Sequence, residues 1–385
     1  MRGRRVKVLV LKANYFPVCG AGRLLETMLL HMDRSVVDPV LVEVRTEGQP
    51  SSCHFTAPAL AGLEHETIVW RGARRAADSV RALRALVQKH GAKGVYAHDM
   101  RCDLLCRLAG ARRGLGVPFV AHVHGWAGRA GDLKLRAFEF IDRLCVRAAD
   151  EVWVGSQHAI HDVRAMLPRR VPLRCFENAL DPTLALAAKE RKAAARAALG
   201  LPLGAFAVGM HARLHHAKGH AVLAEAALRC ANQDVHAVLL GYGDEEAKLR
   251  ELAALPRAKG RIHVIGQQQP VDTLASVAAL DLYAYASLRE SLPLAVLEAM
   301  AMGLPIVSSD VGDVASALGH GEAGVVVPPG DVTALANAID ALAADPVRRA
   351  DLGRNAERAA RSRFSPQRLA REVEAAWIAL RGDAR

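Results

Sequence analysis

Aromatic residues are scarce, 4% of 385 positions, and they do not interleave with the basic residues as binding of single-stranded nucleic acid requires. No run of roughly 20 apolar residues occurs, so no segment reads as a membrane-spanning helix. The seven cysteines (Cys19, Cys53, Cys102, Cys106, Cys145, Cys175 and Cys230) are odd in number and include no Cys-x-x-Cys. That pattern argues for reduced thiols in a cytosolic compartment and against a disulfide scaffold or a zinc ribbon. Cys102 and Cys106, four apart, share a helical face and read as packing residues. A Gly-x-x-x-x-Gly-Lys-Ser/Thr loop is missing, which speaks against a P-loop phosphotransferase. A Gly-x-Ser-x-Gly elbow and a His-Glu-x-x-His helix, the commonest hydrolase and zincin signatures, are missing too. There is no Asp-x-Asp pair to clamp a metal on a nucleoside diphosphate, and no Asn-x-Ser/Thr sequon.

What is present is ordinary for a globular protein: 51% apolar and 24% charged residues, and enough chain for two or three domains. The net charge of +11 is uneven. Residues 1–180 carry 28 basic and 17 acidic side chains, while residues 181–385 carry 23 of each. Arginines cluster in the first half at Arg2–Arg5, Arg71–Arg75, Arg112-Arg113 and Arg169-Arg170. Such asymmetry fits either a surface for an anionic partner or an arginine-rich composition with solvated faces. The basic start imitates a signal peptide, but its apolar run is short and no small-residue cleavage site follows. It reads better as a first buried strand.

Short apolar runs alternate with longer amphipathic ones. Strands are expected at Val6–Leu11, Val40–Val44, Gly94–Ala97, Pro118–Val123 and Glu151–Val154. A second series is expected at Phe206–His211, Ala237–Gly241, Arg261–Ile265, Leu282–Ala284, Ile306–Ser308 and Gly324–Val327. Helical patterns separate them, among them Ala76–Lys89, Cys102–Ala111, Lys134–Ala148, Gly219–Cys230, Leu294–Met302 and Val332–Ala344. Continuous apolar strands alternating with helices imply parallel sheets covered on both faces, here two doubly wound α/β domains. The boundary falls between Asn178 and Gly204, and two more helical patterns, Asp345–Arg363 and Ser365–Leu380, end the chain.

Three places carry candidate chemistry. After the first strand comes Gly20-Ala-Gly22, but position 25 is leucine, so a dinucleotide fingerprint is incomplete. Gly20 and Gly22 mark either a plain turn or a backbone that approaches a phosphate at a helix N-terminus. His124 follows a strand at the C-terminal edge of the first sheet, where ligands bind in open α/β sheets, and His122 shares its strand face. The third is Arg289-Glu-Ser-Leu-Pro-Leu-Ala-Val-Leu-Glu-Ala-Met-Ala-Met-Gly-Leu-Pro-Ile306. Glu290 lies in a loop and Glu298 inside an almost wholly apolar helix, where an unpaired carboxylate costs several kcal/mol. Either the pair grips the hydroxyls of a polyhydroxylated ligand, or Glu298 meets an arginine internally.

This last stretch resembles the glutamate-x7-glutamate signature of retaining GT-B glycosyltransferases, specifically glycosyltransferase family four, the group 1 transferases. Gly209-Met-His-Ala-Arg213 with Lys218-Gly219 resembles the family's Gly-Arg-Leu…Lys-Gly segment, and Gly241-Tyr-Gly243 its Gly-x-Gly turn. Ser309-Asp-Val-Gly312, Gly321-Glu-Ala-Gly324 and Pro328-Pro-Gly-Asp331 follow in the family's order. The likeness is strong over residues 204–365 and looser in the first half, at Val120–Trp126 and Glu177–Asp181. Two departures stand out: Ser316 where the family often has glutamate, and Pro293 where many members have glycine.

The resemblance implies a GT-B architecture, two Rossmann-like domains facing across a cleft. The expected organisation is an acceptor-binding domain at 1–180, a nucleotide-sugar-binding domain at 181–364, and a helix at 365–385 that crosses back to the first domain. It implies that Arg213 and Lys218 hold the donor diphosphate, that Glu290 meets the donor sugar, that Glu298 holds the ribose, and that His124 lies close to the reacting sugar. His124 and Glu290 are thus the catalytic candidates. Arg213, Lys218, Glu298 and Leu294 are the donor-binding candidates together with Gly20 and Gly22, with no metal ligand and no cofactor. Two fixed cations can stabilise a leaving diphosphate without metal. The expected partners are a nucleotide sugar, a glycan or lipid-diphosphate-linked acceptor, and an anionic membrane surface, with no nucleic acid. The expected place is cytoplasmic, peripheral at the inner membrane face. The rival readings are a nucleotide-sugar epimerase of the same fold, a polyanion-binding protein suggested by the basic half, and a catalytically dead sugar-binding relative.

Overall fold

The computed structural model describes residues 5–13, 20–51, 60, 62–72, 75–126, 133–183, 188, 191–266 and 273–382. Cys19, Cys53 and parts of the Arg2–Arg5 and Arg71–Arg75 clusters lie outside the described residues. The chain divides into two compact units, one formed by Met1–Ala179 with Pro366–Arg385 and the other by Leu180–Ser365.

The first unit holds a seven-stranded sheet made of β1 (Val6–Ala13), β2 (Val37–Thr46), β3 (Glu64–Trp70), β4 (Gly94–Ala97), β5 (Phe119–Val123), β6 (Glu151–Val154) and β7 (Leu173–Cys175). Its order is β3-β2-β1-β4-β5-β6-β7 and every pairing is parallel. The reversal between β1 and β4 is the switch point of a doubly wound sheet. Because helices cover both faces, strand residues are buried on both sides. Leu9, Leu11, Val40, Val42, Val95 and Phe119 form the core with Leu105 and both Cys102 and Cys106 from the helix Met100–Leu108. Asp99 caps that helix, accepting from the backbone N–H groups of Arg101 and Cys102.

The helix Pro366–Gly382 belongs to this unit. Trp377 packs edge-to-face on Trp153 of β6, ring centroids 5.5 Å apart. The approach requires glycine at position 94, where a Cβ would come within 2.3 Å of the Trp377 ring.

The second unit holds a six-stranded sheet: β8 (Phe206–His211), β9 (Val235–Leu240), β10 (Ile262–Ile265), β11 (Leu282–Tyr285), β12 (Ile306–Ser309) and β13 (Val325–Val327). The order is β10-β9-β8-β11-β12-β13, again all parallel. Val208, Met210, Val238, Tyr283, Val296 and Ile306 lie in its core. The doubly wound reading thus holds for both halves. Sequence patterning had not marked β3 and β7. Glu64-His-Glu-Thr-Ile-Val-Trp70 is an edge strand with an exposed polar start, and β7 is a three-residue edge strand of which no residue is fully buried.

Candidate functional site

Each sheet gathers polar side chains at its C-terminal edge. In the second unit, β8 delivers His211 and leads to Arg213, and a short 3-10 turn, His216–Lys218, delivers Lys218. Gly219 closes that turn at φ +69°. A Cβ there would fall 1.9 Å from the Ala286 carbonyl, so only glycine lets this turn lie against the loop after β11. A hydrogen bond fastens the pair: Leu288 N–H donates to the Ala217 carbonyl at 2.9 Å.

That fastening fixes Glu290. Its Oε1 pairs with Lys218 Nζ and accepts from Tyr285 Oη at 2.6 Å and from Ser287 Oγ at 3.1 Å. Three donors on one oxygen hold the carboxylate in a single orientation. Tyr285 is fully buried, and burial pushes its phenol well above the ordinary range, so it remains a donor. Gly312, at φ +54°, lets the next turn close on the same loop, and Asp313 N–H donates to the Ser291 carbonyl at 2.7 Å.

Glu298 sits on the helix Leu294–Ala301 and is 4% exposed. It pairs with a histidine. His211 Nε2 meets Glu298 Oε2 at 2.5 Å, and His211 Nδ1 lies 3.1 Å from Tyr283 Oη. Arg213 is exposed, with no ion pair among the described residues. Leu294 opens the glutamate helix and is half-buried. Pro293 caps this helix without a side-chain bond, and Ser316 is held from the far side by Arg363, whose Nη1 donates to its carbonyl at 2.8 Å.

In the first unit, His98 just after β4 and His122 and His124 at the end of β5 form a cluster on adjacent strand ends. His98 Nε2 donates to the Ala21 carbonyl at 2.7 Å, which ties the cluster to the Gly20-Ala-Gly22 turn at the start of the helix Gly20–His31. Tyr96 Oη lies 3.0 Å from His98 Nδ1 and 2.5 Å from His122 Nδ1. His124 stacks on His122, centroids 4.3 Å apart and planes at 13°. Burial holds His122 well below the ordinary imidazole range, and His124 beside it adds to this. Surrounding protein also pushes His124 down, and the nearby Lys12 charge adds to this. The His124 side chain itself reaches the surface. Both rings are neutral at pH 7.

The structure thus joins Lys218 to Glu290, and His124 to the Gly20 and Gly22 turn through His98. It leaves Glu298 on a histidine that sequence reasoning did not select. His211, Tyr285, His98 and Tyr96 were all overlooked. The available signal was period two: His211 ends a strand, and Tyr96 and His98 alternate along another.

Residues 191–359 match the family described as glycosyl transferases group 1, and residues 20–179 match the glycosyl transferase 4-like domain. A D-inositol 3-phosphate glycosyltransferase of Arthrobacter sp. FB24 is 31% identical over 59% of this chain and 53% of its own length. The lipopolysaccharide core biosynthesis glycosyltransferase LpsE of Rhizobium meliloti is 35% identical over 39% of this chain and 43% of its own. The chain therefore spans about half the length of these curated relatives. Among solved structures, HepE of Anabaena in complex with UDP superposes with a TM-score of 0.80, covering 97% of this chain and 100% of that one, at 21% identity. That likeness establishes the GT-B fold.

Proposed function

The chain belongs to the glycosyl transferases group 1 family, and from that premise we propose that it transfers a hexosyl group from a nucleotide sugar to a glycan or lipid-linked acceptor, with retention of configuration. The observation that carries the reading is the Lys218–Glu290 pair, held by Tyr285 and Ser287 at the C-terminal edge of β11. A leaving nucleoside diphosphate gains negative charge as the glycosidic bond breaks. Lys218 and the unpaired Arg213 supply fixed cations for it, and fixed charge needs no reorganisation at the moment of reaction. Glu290 is oriented to accept from sugar hydroxyls, Glu298 from ribose hydroxyls, and His124 is the exposed polar group that the first unit offers to the reacting sugar. Positions 1–180 serve the acceptor, positions 181–364 the donor, and the last helix completes the acceptor unit.

A uridine nucleotide is the first donor to test, since HepE was solved with UDP and with UDP-glucose. The names of LpsE and of the core mannosyltransferase LpcC of Rhizobium leguminosarum point to cell-surface polysaccharide or lipopolysaccharide assembly. No helix among the described residues is long and apolar enough to cross a membrane. The helix Leu133–Val146 nevertheless exposes Phe138, Phe140, Ile141 and Leu144 beside exposed Arg136 and Arg147, the composition of a surface-seated helix on an anionic leaflet. Thermal-shift measurement against a panel of nucleotide sugars tests the reading. A donor should raise the melting temperature of the wild type and fail to do so in Lys218→Ala, and turnover should survive excess chelator. If no nucleotide sugar stabilises the protein, the reading is wrong.

A further inference from the structure

The histidine cluster of the first unit has a hydrogen-bond logic that the transfer reaction does not use. A carbonyl only accepts, so the bond from His98 Nε2 to Ala21 O places the His98 proton on Nε2. Nδ1 of the neutral ring then accepts from the Tyr96 hydroxyl, and the Tyr96 oxygen accepts in turn from His122 Nδ1–H. The chain ends on His122 Nε2, a buried lone pair with no hydrogen-bond partner among the described residues. His122 is 5% exposed, so this lone pair calls for a partner of its own. Beside it stand His124, stacked at 4.3 Å, and His98, whose ring centroid is also 4.3 Å from that of His124.

From this we propose that His98, His122 and His124 form a binding site for a borderline divalent transition-metal ion, zinc first among them. Imidazole suits zinc, copper and nickel, and a metal-ligating histidine is ordinarily fixed by a bond from its other nitrogen, the part Tyr96 plays for His122 and the Ala21 carbonyl for His98. The three ligand atoms lie within 4.8 Å of one another. Zinc–nitrogen bonds of about 2.0–2.1 Å in tetrahedral geometry ask them to close by up to about 1.5 Å, which His124, exposed beyond the end of β5, can supply. The Tyr96 hydroxyl gives up its bond to His98 Nδ1 and keeps the one from His122. Lys12 is close enough for its charge to weigh on His124, but Asp99 pairs with it at 3.5 Å and offsets that charge. An ion held here takes His124 away from a sugar, so the site is inhibitory, a consequence that rests on the role proposed above for His124.

Cobalt(II) reports the site directly. The full chain, stripped with chelator and titrated with Co2+, should develop saturable visible absorption at one equivalent, displaced by Zn2+. His124→Ala, a change at an exposed position, should abolish it. Tyr96→Phe should weaken it about tenfold, the ordinary effect of removing an outer-shell partner. His263→Ala, which alters the other stacked histidine pair, His236 with His263, should leave it unchanged. No saturable band in the wild type, an undiminished band in His124→Ala, or a near-ultraviolet thiolate band that assigns the metal to cysteine would each overturn the proposal.

Discussion

Glu298 and His211 are joined across 87 residues by a 2.5 Å contact between Glu298 Oε2 and His211 Nε2. The contact explains how a carboxylate survives in a helix whose other residues are Leu, Ala, Val and Met. An arginine would have neutralised it permanently in a bidentate fork. A histidine engages one Glu298 oxygen through one N–H, while Tyr283 Oη holds the other ring nitrogen at 3.1 Å.

The two glutamates should therefore fail differently. Glu290→Gln, at the residue assigned to the transferred sugar, should mainly lower kcat. Glu298→Gln, at the residue assigned to the ribose, should mainly raise KM for the donor, the mark of uniform binding lost. His211→Ala should follow Glu298→Gln in kinetics and lower stability as well, because it removes a hydrogen-bond partner from a buried carboxylate. Steady-state kinetics with varied donor separates the cases, and the reverse pattern would exchange the two roles.

Lys218→Ala should reduce turnover about a hundredfold, roughly 3 kcal/mol of transition-state stabilisation, on the scale of removing one oxyanion-type donor. Glu290 keeps Tyr285 and Ser287 in that variant, so its orientation survives and the loss reports on the diphosphate. Unchanged turnover would remove Lys218 from the site.

Period and spacing made both sheets legible, because a strand buried on two faces carries a continuous apolar run, as Val8–Leu11 does within β1. They did not reveal β3 or β7, whose edge positions leave polar or half-exposed residues in place of that signal. Motif likeness reached Lys218 and Glu290, which stand 72 residues apart yet share an ion pair. It did not reach His211 or Tyr96, since a residue that only orients another has no spacing of its own. Their roles come from the lateral register of β8 with β11 and of β4 with β5, and from no local pattern.

Asp103 and Asp142 give the fold a pH dependence. Both are buried, and Asp142 accepts from Trp126 Nε1 at 2.9 Å. Burial raises Asp103 well above its ordinary value, with Asp142 adding to it, and burial raises Asp142 to about 6. A carboxyl raised in the folded state stays protonated where the unfolded chain has already ionised. The native state then binds more protons, and stability falls as pH climbs from about 4 through 6. For Asp142 the loss is at most about 3 kcal/mol, from roughly two pKa units. The neutral His122 and His124 act oppositely, losing stability as pH drops through 6.5, so the comparison must be between proteins. Asp142→Asn should be relatively more stable at pH 7.5 than at pH 4.5 in urea denaturation. An equal difference at both values would remove Asp142 as the source.

The helix Leu133–Val146 is inside out. Phe138, Phe140, Ile141 and Leu144 are 51%, 62%, 42% and 49% exposed, while Glu139 and Asp142 are each only 4% exposed. A surface helix ordinarily turns its apolar stripe to the core, so an outer stripe of this kind calls for something apolar to cover it. The charge around it fits the anionic leaflet proposed above. The net +11 lies wholly in residues 1–180, and each Lys or Arg near an anionic leaflet contributes about 1 kcal/mol, screened by salt. Co-sedimentation with vesicles should therefore rise with the fraction of anionic lipid and fall as salt increases. The double variant Phe140→Ser with Leu144→Ser should lose most of the binding that persists at high salt, because burying each such side chain contributes about 1.5–3 kcal/mol. It should leave the salt-sensitive part in place, since the arginines are untouched. If the wild type ignores anionic vesicles even at low salt, the basic half reflects composition alone, and a small water-soluble acceptor replaces the lipid-linked glycan.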